Sequence, residues 1–164
     1  MPWIFWLFPI AFAIHNFEEA LLLPDWSKSA GKFHKPVGSF EFVFALIILT
    51  LLSVVFTTAF YSEGSESPGA YLFFAFNLGM LANVFFPHLA ATIALKKYCP
   101  GLLTGVLFLA PTTVSLLLYG QANQYYSFLK LCVVTVPIAG IIVGSIRVLF
   151  HIGRSLRDVL RGHG

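Results

Sequence analysis

Five stretches of the chain, residues 3–23, 40–61, 70–95, 102–119 and 126–150, are dominated by apolar side chains. About 20 such residues in a helix rising 1.5 Å each cross the roughly 30 Å hydrocarbon core of a bilayer. The pattern predicts an all-α polytopic membrane bundle of five transmembrane helices with a short basic C-terminal tail, forming one domain over residues 1–164. Composition agrees: 58% of residues are hydrophobic and 10% charged, where soluble domains carry about 25% charged residues. A net charge of +3 is too small to suggest nucleic acid as a partner; the expected surroundings are the lipid bilayer. The first stretch lacks the basic flank and small-residue cleavage site of a signal peptide and is expected to be retained as a span. Pro87, Pro111 and Pro137 fall inside spans three, four and five, where neighbouring groups can satisfy the carbonyls they free. Cys99 and Cys132 fit no zinc spacing, lie near opposite ends of the expected bundle, and are not expected to pair.

Charge alternates between the connections. Lys28, Lys32 and Lys35 lie in the first, Glu63 and Glu66 in the second, Lys96 and Lys97 in the third. The fourth is uncharged up to Lys130, and the tail carries Arg154, Arg157 and Arg161. By the positive-inside rule the first and third loops and the tail face the cytoplasm, and the N-terminus faces out. The localisation expected is the inner, or plasma, membrane of the cell.

The costly residues are in span one. Its eleven Leu, Ile, Phe and Val residues favour insertion by about 3–7 kcal/mol, and two ionised carboxylates near the helix centre oppose it by about 5–7. Glu18 and Glu19, with His15 before them, therefore need something inside the bundle to bind. At 100° per residue, Glu18 lies 60° to one side of His15 and Glu19 lies 40° to the other, so all three share one broad face. Counting rises, His15, Glu18, Glu19, Glu41, His88, Thr104 and Arg147 all fall in the cytoplasmic half, with Asn83 near mid-depth. A carboxylate–imidazole set at one depth suits zinc, iron or manganese. Di-metal bundle proteins use the order Glu-x-x-His; here the order is reversed, so that motif is not transferred.

The pentapeptide His15-Asn16-Phe17-Glu18-Glu19 resembles the signature of the HXXEE domain family of small integral membrane proteins. Asn83 with His88, the loop Tyr98-Cys99-Pro100-Gly101 followed by Thr104, and Pro111 are similar to that family as well. The resemblance spans roughly residues 8–115. It implies a membrane setting, points to His15, Glu18, Glu19, Asn83 and His88, and supplies no reaction.

The most concrete expectation is a metal-dependent membrane enzyme, a hydrolase, acting on a lipid or other amphiphile. His15, Glu18, Glu19 and His88 are the candidate ligands of one or two divalent ions. Glu18 or Glu19 is the candidate general base on a metal-bound water, and Asn83 orients the substrate. Paired glutamates with a distant histidine are also loosely similar to glutamate-type intramembrane CAAX proteases. Those carry an arginine shortly after the pair, where this chain has Ala20-Leu21-Leu22-Leu23. The competing readings are a proton- or ion-coupled transporter or binding protein and a non-catalytic helper subunit; a homo-oligomer is compatible with each. Bland readings cover the rest. Glu41 is expected solvated or paired with Lys35, Arg147 and His151 at lipid head groups, and Asn77 as interhelical glue. The phenylalanines are expected to face lipid, with Trp3, Trp6 and Trp26 in interfacial belts. Residues 151–160 are expected as a short basic amphipathic helix or a frayed end.

Overall fold

The computed structural model describes residues 2–31 and 35–162. Lys32, counted in the first basic loop, lies outside the described residues. Among the described residues, five helices are long and apolar enough to cross a membrane: α1 (Trp3–Ser27), α2 (Ser39–Glu63), α3 (Pro68–Leu95), α4 (Leu102–Ala122) and α5 (Phe128–Arg161). There is no strand among the described residues. Local signals explain several boundaries. Ser67 caps α3, its hydroxyl accepting from the Ala70 N–H at 3.0 Å, and Pro68 takes the first helical position, where no N–H is needed. At the other end of α3, Lys96 turns left-handed, with φ of 49°. Two helices open into wider, π-helical turns, at Val84–Leu89 in α3 and Gly105–Leu109 in α4. Pro87 lies inside the first and Pro111 just after the second, and a missing proline N–H is a common cause of such a disturbance.

Helix α2 packs on α1, α3 and α5, and α4 closes the bundle against α1 and α3. The 64–67 turn and the 123–127 connection lie at one end, which also holds the start of α1 and is called here the acidic end. Residues 28–31 and 35–38, the 96–101 loop and the C-terminus of α5 lie at the other, the basic end, where Lys97 Nζ reaches Ser29 Oγ across 2.8 Å.

Several phenylalanines depart from expectation, while Phe17, Phe86 and Phe128 are exposed. Phe5, Phe8, Phe60, Phe73, Phe74 and Phe76 are fully buried and form an aromatic core near the acidic end. Phe5 meets Phe60 edge-to-face at 5.0 Å between centroids, and Phe73 meets Phe74 the same way at 5.0 Å. Lipid tails are as apolar as these rings, so hydropathy does not sort them outward. Close contact and edge-to-face geometry, worth about 0.5–1.5 kcal/mol per pair, favour the interior. Trp26 is buried too, in a smaller apolar cluster with Leu23, Phe42, Leu46 and Ala91 at the basic end.

Three polar expectations also change. Asn77 is fully buried, but its amide donates to Phe73 C=O of its own helix at 2.9 Å and bridges to no other helix among the described contacts. Glu41 is not solvated, and its Oε1 accepts from the Gly38 N–H of the first loop at 3.3 Å. It is 3% exposed and accepts from Arg157 Nη1 at 3.0 Å and Arg154 Nε at 3.3 Å. Those arginines belong to the tail, so residues 151–161 continue α5 without a break, held down on the first turn of α2. A carboxylate at that depth needs cations, and the nearest turn of α5 supplies two. Arg147 and His151 are exposed.

Candidate metal centre

Between the aromatic core and the basic-end cluster lies a polar island. His15, Glu19 and His88 each offer one ligand-type atom, all within 4.8 Å of one another, and all three residues are buried. His88 Nε2 is 3.1 Å from Glu19 Oε1, and His15 Nε2 is 3.9 Å from the same oxygen. The two imidazoles meet edge-to-face at 5.1 Å.

The break in α3 makes this meeting possible. Residues five apart on a regular α-helix point about 140° away from each other. Asn83 and His88 are five apart, yet Asn83 Nδ2 lies 3.0 Å from His88 Nε2. Phe86 leaves helical geometry between them (φ −138°, ψ 112°), and the wide turn brings both side chains to the same side. His88 Nδ1 faces Cys99 Sγ at 3.7 Å, so each ring nitrogen of His88 has a neighbour.

Glu18 takes a different place. It sits 100° around the helix from Glu19, toward α4 rather than α3. Its carboxylate accepts from the Gly101 N–H at 2.8 Å, the Thr104 N–H at 2.9 Å and Thr104 Oγ1 at 2.5 Å, and from the Tyr98 hydroxyl. Tyr98 in turn accepts from the Leu103 N–H at 3.2 Å. A helix leaves its first N–H groups without internal partners and carries partial positive charge there. Glu18 is thus the N-terminal cap of α4, supplied by a residue more than eighty positions earlier. Burial, and then the hydrogen bond to Glu18, push the Tyr98 hydroxyl up to about 12, so it stays a donor at any physiological pH. All four donors converge on the two Glu18 oxygens, which leaves this carboxylate poorly placed to serve as a metal ligand or a general base.

The cap also sets the chemistry of His15. The single hydrogen of Thr104 Oγ1 goes to the nearer, charged Glu18 oxygen. Toward His15 Nδ1, 3.4 Å away, that hydroxyl acts as acceptor. The His15 proton therefore sits on Nδ1, and Nε2 presents a lone pair. Nε2 is buried and has no hydrogen-bond partner among the described residues, while the Glu19 carboxylate faces it. Two electron-rich atoms oriented toward each other in an apolar bundle are satisfied by a shared proton, a water or a metal ion between them.

Gly101 lets the two rings approach. Its φ is +90°, and a β-carbon there would lie 2.7 Å from His88 Cε1 and 2.9 Å from His15 Cε1. Gly101→Ala is expected to destabilise the protein by about 2–4 kcal/mol, combining left-handed strain with overpacking. Unfolding in mixed detergent micelles would show it; an unchanged midpoint would mean that the rings move aside freely. Gly105, four residues on, packs on Val84 of α3, whereas Gly140 and Gly144, at the same spacing in α5, meet nothing within 4 Å.

A cavity of about 260 Å³ opens beside the island, bounded by α1, α2, α3 and α5. His15, Asn16, Glu19, Asn83, His88 and Cys99 supply its polar wall, and the rest is apolar. Residue spacing pointed toward His15, Glu18, Glu19 and His88, and the family resemblance added Asn83. Spacing did not identify Asn16, whose amide donates to Thr50 Oγ1 at 2.8 Å, nor the separate parts played by Tyr98, Cys99 and Thr104. The signals for those three were the Tyr-Cys-Pro-Gly loop with its following threonine and, for Thr104, its depth in the cytoplasmic half.

No solved structure matches this chain. The chain is 39% identical over 147 residues to the protein YrkK of Bacillus subtilis (strain 168), described as uncharacterized; the match covers 89% of this chain and 92% of that one. Residues 6–116 match the family model described as a protein of unknown function with HXXEE motif. That interval contains the motif His15–Glu19, the α3 break with His88 and the capped start of α4, and the chain belongs to the HXXEE family.

Proposed function

We propose that the protein is a metal-dependent membrane enzyme acting on a lipid or other amphiphile, with one divalent ion held by His15, Glu19 and His88. The observation that carries this reading is the unpartnered His15 Nε2 lone pair facing the Glu19 carboxylate in the bundle interior. Spacing supports it. Ligand atoms around a tetrahedral zinc with bonds of about 2.0–2.1 Å are roughly 3.3 Å apart; two of the three pairs here are at 3.1 and 3.9 Å, and all three lie within 4.8 Å. Two histidines and one carboxylate with open positions form a set used by catalytic zinc and by non-haem iron; manganese is the third candidate. Both imidazoles have a partner at Nδ1, Thr104 for His15 and Cys99 for His88, the outer support that metal-binding histidines need. Such an ion supplies Lewis-acid polarisation and a water of lowered pKa. Asn83 lies at the cavity rim, where its amide can orient a substrate head group. With Glu18 engaged in the cap, general-base work falls to the second oxygen of Glu19. The basic end is assigned to the cytoplasm by its lysines and arginines.

The test is metal analysis of the purified protein in chelator-free detergent. About one ion per chain is expected in the wild type, as for a single three-ligand site, with almost none in His15→Ala or Glu19→Ala. Equal and negligible metal in all three removes the reading.

A second reading, ion- or proton-coupled transport, is favoured by the broken helix α3 at the site, since transporters place binding groups at such breaks. A flux across liposomes abolished by Glu19→Gln, in protein free of metal, would select it.

A further inference from the structure

The cavity beside the island reaches the outside of the bundle, since Phe86 and Val143 line it and are largely exposed. A second groove runs along the outward side of the seam between α3 and α5. It shares Met80, Asn83, Phe86, Ile142 and Val143 with the cavity wall. Phe86 and Val143, at this junction, are 77% and 66% exposed. Helix α5 is fastened at both ends, by Lys130 to Glu66 at 3.2 Å and by Arg154 and Arg157 to Glu41. Over its length it buries only Leu131, Ile142 and Gly153. The wall between the two fastenings is therefore thin, and it is interrupted where α3 leaves helical geometry at Phe86.

The shape of the space restricts what enters. Its α5 wall runs from Ile142 to Phe150, eight helical rises or about 12 Å. Carbon–carbon bonds of about 1.5 Å advance roughly 1.25 Å each along an extended chain, so 12 Å holds about eight to ten carbons. The volume agrees: a cavity of about 150 Å³ takes benzene, with its six carbons, so about 260 Å³ is room for roughly ten. One hydrocarbon chain fits and two do not. Leu46, Leu49, Met80, Ala91, Ile146 and Phe150 would surround it, while the polar wall requires a head group that forms hydrogen bonds or binds a cation.

We propose that this cavity takes a single-chain lipid from the bilayer, admitted sideways through the seam between α3 and α5 at Phe86 and Val143. Its oxygen-bearing head group is then set against His15, Glu19 and His88. The identity of what the head group meets rests on the metal reading above; the chain site and its entrance do not.

The test uses the whole protein in lipid nanodiscs with a diazirine-bearing decanoic acid, adducts being mapped by mass spectrometry and metal measured on the same samples. Adducts are expected on Leu46, Leu49 and Ile146. Their yield should fall about ten-fold in Val143→Trp, the scale on which overfilling a packed space acts, while its metal content matches the wild type. Val143 faces outward, so this variant leaves the core intact; Ala91→Phe, which fills the cavity from within, should lose the same adducts. Adducts confined to bilayer-facing positions such as Leu51 and Leu118 would overturn the chain site. Cavity adducts of equal yield in Val143→Trp would overturn the lateral entrance. Metal absent throughout, with the adducts still lost in Val143→Trp, would sink the metal reading and support this one.

Discussion

Glu18→Ala is expected to lower the stability of the folded bundle by about 2–4 kcal/mol. Four donors lose one charged acceptor: the Gly101 and Thr104 N–H groups, the Thr104 hydroxyl and the Tyr98 hydroxyl. A hydrogen bond to a charged group contributes roughly 1.5–3 kcal/mol, but the four share one carboxylate and are not additive. Glu18 is half-buried, so water replaces part of what is lost, and the estimate stays well below the sum. Equilibrium unfolding in mixed micelles measures it. Glu18→Gln should recover less than half of the difference, because an amide keeps one acceptor oxygen and turns an NH₂ toward the other donors. The metal proposed for the neighbouring cluster should bind about 10–100-fold more weakly in these variants, the range for outer-shell changes, since the cap holds Thr104 against His15 Nδ1. A stability change below about 0.5 kcal/mol, the range of ordinary surface substitutions, would show that water caps α4 unaided.

Glu19→Gln should behave in the opposite way. Structural zinc sites with four ligands bind with about 10–16 kcal/mol, so loss of one ligand from three is worth roughly 4 kcal/mol, about a thousand-fold in affinity. The fold should survive the change. The amide has the same shape as the carboxylate, and its NH₂ can donate to the bare His15 Nε2, leaving metal-free stability within about 1 kcal/mol of the wild type. Calorimetric titration with zinc and unfolding in the presence of a chelator separate the two quantities. Wild-type metal affinity in Glu19→Gln would mean that the carboxylate is no ligand. The adjacent glutamates of the motif therefore make a paired experiment: altering the first should mainly loosen the bundle, and altering the second should mainly empty the site.

The difference between these two neighbours marks how far residue order reaches. Span number, span limits and the distribution of polar groups along the bundle follow from runs of apolar residues and a fixed rise per residue. The five helices lie close to residues 3–23, 40–61, 70–95, 102–119 and 126–150, with α5 extended through the tail. His15, Glu19 and His88 share a level because α1 and α3 run the same way through the bundle and their polar residues are similarly distant from the basic-end loops. Direction around each helix is another matter. In a soluble helix a polar face marks the outside, but here lipid and bundle interior are equally apolar, and no stripe of hydrophobicity says which way a side chain points. Hence Phe5, Phe60 and Phe73 pass for lipid-facing residues until the packing places them in the core. Glu18 and Glu19 pass for equivalent ligands until α4 claims one and α3 the other. Asn83 and His88, five apart, come together only because the chain breaks its helix at Phe86, and Glu41 finds its arginines more than a hundred residues away. Depth is encoded locally, one residue at a time; azimuth and partnership depend on which helices become neighbours, and that is settled by the packing of the whole chain.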